Sequence, residues 1–111
     1  TRGTAWCEAY SKEQFARILA CAREAGMTPI PLIQTLGHME SILSHSAYHY
    51  LRESPASAYM LCPSNPGSME FLLRYMDEVG ELFGDPPFFH IGADEAWQLG
   101  SCPECSRRVA A

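Results

Sequence analysis

The sequence feature that most constrains the fold is an apolar run that ends in two adjacent carboxylates. The run Phe88-Phe89-His90-Ile91 leads through Gly92 and Ala93 into Asp94-Glu95. Acidic side chains stay out of protein cores unless they are paired, and a strand that runs into such a pair usually delivers it to a cleft. In α/β folds this cleft lies at the carboxyl ends of the strands. We therefore predict a strand over 88–93 whose end carries functional side chains.

Helical patterns flank this strand and a second apolar run over 28–34. Ser11 and Gln14 have the spacing of a capping box at the start of one helix, and Asn65-Pro66 is typical of the start of another. Short helices are predicted within 39–53, and a last helix is predicted to open at Cys102-Pro103-Glu104-Cys105. The order helix, strand, helix, strand, helix implies parallel strands joined by helical crossovers.

Two strands cannot form a stable parallel sheet, because their edges and faces would stay open. A (β/α)₈ barrel needs about 250 residues, whereas this chain has 111 and opens on Thr1. The predicted fold class is therefore α/β, a fragment of a (β/α)₈ TIM barrel with about two βα units. Residues 1–111 are predicted to be a partial barrel domain that lacks its N- and C-terminal parts and that folds poorly or associates by itself.

Charge and cysteine content limit the classes of binding partner and the cellular compartment that we expect. The formal net charge is −5 and no basic cluster occurs, so we expect no nucleic-acid partner. No apolar run approaches the roughly 18 residues of a membrane span, so no membrane partner is expected either. The five cysteines have no regular spacing, which does not fit a disulfide framework and favours a reducing, intracellular compartment. Cys21 lies among alanines in the first helical pattern and is predicted to be buried.

The two carboxylates can share one site although they are neighbours in sequence. Strand alternation places His90, Gly92 and Asp94 on one face, and Gly92 leaves room for a close approach. Glu95 follows the strand, so alternation does not fix its direction. Such a pair suits a division of roles in which one carboxyl group stays ionised and the other stays protonated. The alternative that Asp94 or Glu95 caps the following helix stays open.

The motif His90-Ile91-Gly92-Ala93-Asp94-Glu95 resembles the His-x-Gly-Gly/Ala-Asp-Glu motif of family 20 glycoside hydrolases, the β-N-acetylhexosaminidases. The upstream stretch from Pro31 to Glu40 and the stretch Cys62-Pro63-Ser64-Asn65-Pro66 resemble the hexosaminidase D branch of that family. The chain departs from the wider family at Gln34, where most members carry an acidic residue. The resemblance covers the chain roughly from Tyr10 to Cys105.

The resemblance implies a catalytic barrel and a retaining exo-hydrolase whose partner is a glycan or glycoconjugate with terminal β-linked N-acetylglucosamine or N-acetylgalactosamine. The substrate's own acetamido oxygen acts as nucleophile in that family. By resemblance, Asp94 orients the acetamido group, Glu95 is the acid/base and His38 hydrogen-bonds Glu95. No cofactor and no metal are expected. The resemblance makes the complete protein an enzyme, and we expect this fragment alone to be inactive.

Four further residues keep two or more interpretations. His90 either supports the backbone or contacts substrate, and Trp97 either stacks on a sugar ring or anchors its loop in the core. Cys102 and Cys105 are half of a zinc site, a redox pair or structural residues at a helix start. The sequence supplies no second pair of ligands at zinc-site spacing, which favours the structural interpretation.

Two other functions compete with glycoside hydrolysis. One is a metal-dependent barrel hydrolase, with His38, His90 and Asp94 as ligands and Glu95 as base. The other is a non-catalytic carbohydrate-binding or degenerate barrel fragment, against which the intact Asp94-Glu95 pair argues. The sequence leaves oligomerisation open.

Overall fold

The computed structural model describes residues 9–111, so Cys7 lies outside the described residues. Helices dominate this part of the chain, and all of them fall where the sequence patterns predict helices. They are α1 (Lys12–Glu24), α2 (Glu40–Leu43), a 3₁₀ helix (Ser46–Leu51), α3 (Pro66–Phe83) and α4 (Pro103–Ala110).

The predicted start signals of α1 and α3 are confirmed. The Ser11 hydroxyl accepts from the Gln14 backbone N–H at 3.1 Å, and the Gln14 side chain accepts from the Ser11 N–H at 2.8 Å. At α3, the Asn65 side-chain oxygen accepts from the Gly67 N–H at 2.9 Å. These bonds satisfy N–H groups that a helix start would otherwise leave unpaired. Helix α3 ends at Gly84, which adopts left-handed φ at 69°.

The two predicted strands are wrong as regular strands. Within residues 9–111 the segments 28–34 and 88–93 meet only at one parallel bridge, Leu32 to His90. Pro29 and Pro31 have no N–H to donate, which interrupts one side of the ladder. The other segment turns at Gly92 and Ala93, whose φ values are 63° and 70°.

The parallel direction is nevertheless as predicted. The Ile33 N–H donates to the His90 carbonyl at 3.1 Å, and the His90 N–H donates to the Pro31 carbonyl at 2.9 Å. The turn after His90 also ends strand alternation, so the predicted shared face of His90, Gly92 and Asp94 does not extend beyond His90. The described residues thus contain the parallel contact of an α/β fold without a sheet.

The buried core lies between α2, the 3₁₀ helix and the middle of α3. Its fully buried members share an aliphatic or thioether side chain and are Met39, Ile42, Leu43, Leu51 and Leu61. Tyr48, Phe71 and Tyr75 pack against this cluster, with the Tyr48 and Phe71 rings 5.2 Å apart. Ile42, Leu43 and Leu51, the aliphatic residues of the short helices within 39–53, thus all face this core. Because Met39 belongs to this core, the core anchors the end of the loop at 35–39.

Helix α1 packs on α3 with a partly exposed apolar face. Phe15 and Phe83 rings lie 5.6 Å apart, and the Arg23 guanidinium donates to the Phe83 carbonyl at 2.6 Å. The predicted burial of Cys21 is wrong, because Cys21 is exposed on α1. No helix among residues 9–111 has both the length and the apolar character needed to cross a bilayer.

Candidate active site

Three segments meet at the carboxylate pair. The loop 35–39 carries His38, the segment 57–62 carries Tyr59, and the loop 91–101 carries Asp94 and Glu95. Backbone bonds join the first two segments: Met39 N–H donates to the Tyr59 carbonyl at 3.0 Å, and Leu61 N–H donates to the Leu36 carbonyl at 2.9 Å. The Thr35 hydroxyl donates to the Ile91 carbonyl at 2.8 Å and joins the third segment.

His38 lies close to both carboxylates. Its Nε2 is 3.1 Å from Glu95 Oε2 and 3.8 Å from Asp94 Oδ2. The shorter contact has hydrogen-bond length, whereas the longer one is electrostatic only. The two acidic side chains are therefore gathered at one point, although they are adjacent in sequence. The side chains remain open to solvent, with exposed fractions of 60% for Asp94 and 53% for Glu95.

Tyr59 is a site residue that the sequence patterns did not indicate. Its hydroxyl donates to the Glu95 carbonyl at 2.7 Å and lies 3.5 Å from His38 Nε2. The Tyr59 and His38 rings meet edge to face, with centroids 5.2 Å apart. Burial raises the pKa of the Tyr59 hydroxyl, and the nearby charges of Glu95, Glu40 and Asp94 raise it further. Tyr59 lies in an irregular segment, where neither periodicity nor the family motif marks it.

Close backbone packing requires glycine at two positions of the site. A Cβ on Gly37 would lie 3.0 Å from both the Asp94 carbonyl oxygen and the Tyr59 hydroxyl. A Cβ on Gly92 would lie 2.2 Å from the Gln34 side-chain oxygen. The predicted close approach at Gly92 is therefore confirmed, and the approaching group is the Gln34 amide. Since Gly37 touches the backbone of Asp94, its loop fixes where the carboxylates emerge.

Left-handed backbone is concentrated at the same place. His38, Ala93 and Glu95 are not glycines, yet their φ values are 58°, 70° and 49°. Each such residue costs of the order of 1–3 kcal/mol and persists only where surrounding contacts hold it. The contacts here are the Tyr59 and Gly37 interactions with the carboxylate loop. Strain of this kind is typical of active sites and ligand-binding loops.

His90 and Trp97 have different roles from the acidic pair. His90 Nδ1 accepts the Gly92 N–H at 3.0 Å, which supports the backbone interpretation of this residue. Trp97 is 77% exposed, so the interpretation as an anchor in the core of the described residues is wrong. The capping interpretation of Asp94 and Glu95 is also wrong, because Cys102 is the N-cap of α4 and its sulfur accepts the Cys105 N–H at 3.3 Å.

Cys102 and Cys105 meet a third cysteine, Cys62, that sequence spacing did not connect to them. Cys62 Sγ lies 3.7 Å from each of the other two sulfurs. Burial raises the pKa of the Cys105 thiol and, together with the Glu53 carboxylate, that of Cys62. Redox-active cysteines need a lowered thiol pKa. The raised pKa of the Cys105 thiol is opposite to that requirement.

The ligand set of the metal-hydrolase alternative is not assembled in the described residues. His38, Asp94 and Glu95 have ligand atoms within 4.8 Å of one another, but His90 is not in this group. His90 Nδ1 instead accepts a hydrogen bond from the Gly92 N–H. The site supplies an imidazole between two carboxylates, which suits proton transfer and the stabilisation of positive charge.

The sequence of this chain is similar to those of known glycoside hydrolases. Residues 2–111 match the family profile described as glycosyl hydrolase family 20, catalytic domain. The chain is 39% identical over 100 residues to hexosaminidase D of Homo sapiens and 38% identical over 92 residues to hexosaminidase D of Bos taurus. It is 34% identical over 114 residues to a beta-hexosaminidase of Vibrio furnissii.

These alignments cover 90%, 83% and 91% of the chain, in the same order, but only 20%, 27% and 18% of the relatives. The chain thus spans about a fifth to a quarter of the length of these relatives. The catalytic domain of the matched family is a TIM barrel. Because the family profile matches nearly the entire chain, the chain belongs to glycosyl hydrolase family 20.

Proposed function

We propose that the complete protein is a retaining exo-β-N-acetylhexosaminidase that uses substrate-assisted catalysis. Its substrates are glycans or glycoconjugates with terminal β-linked N-acetylglucosamine or N-acetylgalactosamine. The observation that carries this proposal is the convergence of Asp94 and Glu95 on His38, at 3.8 and 3.1 Å from its Nε2. Family membership and relatives named hexosaminidase D and beta-hexosaminidase support it.

Asp94 would act on the acetamido group. The acetamido oxygen attacks the anomeric carbon as the bond to the leaving oxygen breaks, which forms a cyclic oxazolinium ion with retention at the end of the reaction. An ionised Asp94 accepts the acetamido N–H, orients the oxygen for attack and stabilises the positive charge on the ring nitrogen. Pre-oriented groups of this kind act where charge develops in the transition state.

Glu95 would carry the proton. Its carboxylic acid protonates the leaving glycosidic oxygen, and the resulting carboxylate then takes a proton from the water that attacks the anomeric carbon. His38 holds Glu95 through the contact between Nε2 and Oε2 at 3.1 Å. Tyr59 holds the Glu95 backbone through its hydroxyl. His38 and Tyr59 are thus positioning residues for the acid/base.

We also propose that residues 1–111 form part of the catalytic barrel. Several apolar side chains at the parallel contact are open to solvent, including Ile30, Leu32, Phe88 and Ile91. Their exposed fractions lie between 50% and 66%, which is high for residues of a barrel interior or its helix-facing layer. Packing against further strands and helices would cover them. Such packing would also supply the burial that a protonated Glu95 requires.

The decisive experiment compares two aryl glycosides with the complete protein. The aryl β-N-acetylglucosaminide should be hydrolysed, whereas the aryl β-glucoside, which lacks the acetamido group, should not. A thiazoline mimic of the oxazolinium ion should inhibit competitively. Asp94→Asn should reduce kcat by about 10²–10³-fold, the scale of losing one preorganised group at developing charge.

The matched control is Asp77→Asn on the exposed surface of α3. This variant makes the same chemical change far from the site and should retain wild-type kcat and KM. Equal rates on both glycosides would overturn the acetamido mechanism. If the folded complete protein cleaved neither the aryl β-N-acetylglucosaminide nor the matching β-N-acetylgalactosaminide, the non-catalytic alternative would be favoured.

A further inference from the structure

A second cluster of polar side chains lies beneath the carboxylate loop and is separate from the proposed catalytic site. It comprises Glu53, Cys62, Cys102 and Cys105, whose carboxylate oxygen and sulfur atoms all lie within 4.8 Å of one another. Unlike the open acidic pair, the side chains of Glu53, Cys62 and Cys105 are buried. We propose that these four residues bind one structural zinc ion.

The sulfur separations fit a shared metal ion. Cys62 Sγ lies 3.7 Å from Cys102 Sγ and 3.7 Å from Cys105 Sγ. In a tetrahedral zinc site with bonds of about 2.3 Å to sulfur, neighbouring sulfurs are about 3.8 Å apart. A disulfide would instead need about 2.05 Å and would join only two of the three sulfurs. The two separations from Cys62 therefore match two edges of a zinc tetrahedron, and the third pair of sulfurs lies within 4.8 Å.

Glu53 supplies an oxygen at the fourth corner. It is only 1% exposed, and its Oε1 accepts the Cys102 N–H at 3.0 Å. Its other oxygen, Oε2, is buried and has no hydrogen-bond partner. None of the ion pairs among residues 9–111 involves Glu53. A buried carboxylate without a cation is costly, and a bound divalent ion would remove that cost.

The donor set selects the metal by its chemistry. Three thiolates and one carboxylate are a largely soft set, which disfavours magnesium and calcium and suits zinc. All four positions of a tetrahedron come from the protein, which is the arrangement of structural rather than catalytic zinc. The spacing Cys102-x-x-Cys105 at the start of α4 provides one half of the site. Cys62 and Glu53 provide the other half from two adjacent stretches of chain.

The site would hold together the two segments that carry Tyr59 and Glu95. Glu53 N–H donates to the Met60 carbonyl at 2.9 Å, and Cys62 N–H donates to the Leu51 carbonyl at 2.7 Å, so Glu53 and Cys62 belong to one paired unit. Cys102 directly follows the loop 91–101, which carries the two carboxylates. A metal bound to both would fix that loop against the Tyr59 segment.

The test is metal analysis of the complete protein, purified under reducing conditions and without a metal-affinity step. We expect about one zinc per chain, and we expect Cys62→Ser and Cys105→Ser to lower the zinc content at least fivefold. Cys21→Ser is the matched control, because Cys21 is exposed in α1 and lies outside the cluster. This control should keep the full zinc content.

A measurement on the unaltered protein makes the test independent of variant folding. Replacing zinc by cobalt should produce the thiolate-to-cobalt charge-transfer absorption and the visible bands of a tetrahedral site. Cobalt without charge-transfer absorption would overturn the proposal, and so would zinc content that is unchanged in Cys62→Ser. A native disulfide between Cys62 and Cys102 or Cys105, found in non-reduced peptides, would overturn it as well.

Discussion

Two clusters of titratable side chains among residues 9–111 differ in almost every physical respect. Asp94, Glu95 and His38 are at least partly open to solvent, and both carboxylates contact one imidazole nitrogen. His38 and Glu95 also lie on left-handed backbone. In the other cluster, Glu53, Cys62 and Cys105 are buried and Cys102 is partly buried. The first cluster is accessible to solvent, whereas the side chains of Glu53, Cys62 and Cys105 are shielded from it.

This difference assigns the two clusters to different tasks. The open cluster is held by other groups, such as the Tyr59 hydroxyl on the Glu95 carbonyl and Gly37 against the Asp94 carbonyl. The buried cluster instead has structural contacts. Cys102 caps the start of α4, and the Glu53 carboxylate accepts the Cys102 N–H. We therefore expect substitutions in the open cluster to change catalysis and substitutions in the buried cluster to change stability. The following predictions test that separation.

The largest effect is expected for Glu95→Gln in the complete protein. The amide cannot donate and take back a proton, so kcat should fall by about 10²–10⁴-fold. The free energy of unfolding should stay within about 1 kcal/mol of wild type, because glutamine keeps the shape of glutamate and its amide can still contact His38. Kinetics and denaturation on one preparation measure both. The control is Glu81→Gln at an exposed position of α3. It should change neither kcat nor the free energy of unfolding.

An equivalent loss of activity in Glu81→Gln would contradict the assignment. So would a Glu95→Gln variant with normal kcat, since no other described carboxyl group contacts His38 at hydrogen-bond distance.

Glu53→Gln makes the same chemical change in the buried cluster. It should lower the free energy of unfolding much more than it affects kcat. Glu53→Gln places a neutral amide among the buried thiols and weakens the proposed metal site. We expect a loss of about 2–3 kcal/mol in the free energy of unfolding, the scale of an unpaired buried polar group. The kcat of the molecules that remain folded should fall less than tenfold. Denaturation curves and active-site titration separate the two quantities, and a stable variant with lost kcat would contradict the separation.

The sequence marks the open cluster far better than the buried one. A linear motif and a glycine–histidine loop mark Asp94, Glu95 and His38 as candidate site residues, and local side-chain chemistry predicts the helix starts at Ser11 and Asn65. Glu53 and Cys62 carry no such mark, because long-range folding alone brings them to Cys102 and Cys105. The predicted strands failed for a related reason. Apolar runs predict extended chain, but a ladder needs neighbours that residues 9–111 do not supply.

A smaller effect is expected at the glycine that joins the loops. Gly37→Ala would place a methyl group 3.0 Å from the Asp94 carbonyl oxygen and the Tyr59 hydroxyl. We expect a loss of about 1–2 kcal/mol in stability, with a parallel fall in kcat as the carboxylate loop shifts. The control is Gly80→Ala in α3, where a Cβ meets nothing within 4 Å.

Gly80→Ala should raise stability by about 0.5–1 kcal/mol, because alanine loses less backbone entropy than glycine in a helix. Differential denaturation of both variants against wild type measures the two changes. A Gly37→Ala variant as stable as Gly80→Ala would show that the two loops do not touch in the complete protein.

The smallest effect is expected for Tyr59→Phe, which tests how the open cluster is held. The variant loses only the hydroxyl that donates to the Glu95 carbonyl at 2.7 Å. We expect kcat to fall by less than about tenfold, since a positioning contact and not the acid itself is removed. KM should change less than kcat, because Tyr59 binds the Glu95 backbone.

The pH dependence of stability distinguishes this contact from simple packing. Burial, followed by the charges of Glu95, Glu40 and Asp94, raises the pKa of Tyr59 in the folded protein. A raised folded-state pKa gives a contribution to stability that is complete below the unfolded value, about pH 10, and that is lost as pH rises through the folded value. The stability difference between wild type and Tyr59→Phe should therefore shrink above about pH 10. Burial also raises the pKa of Tyr75, but Tyr75 is present in both proteins and cancels in the difference. A difference that stays constant from neutral to alkaline pH would show that the Tyr59 hydroxyl does not hold the Glu95 loop.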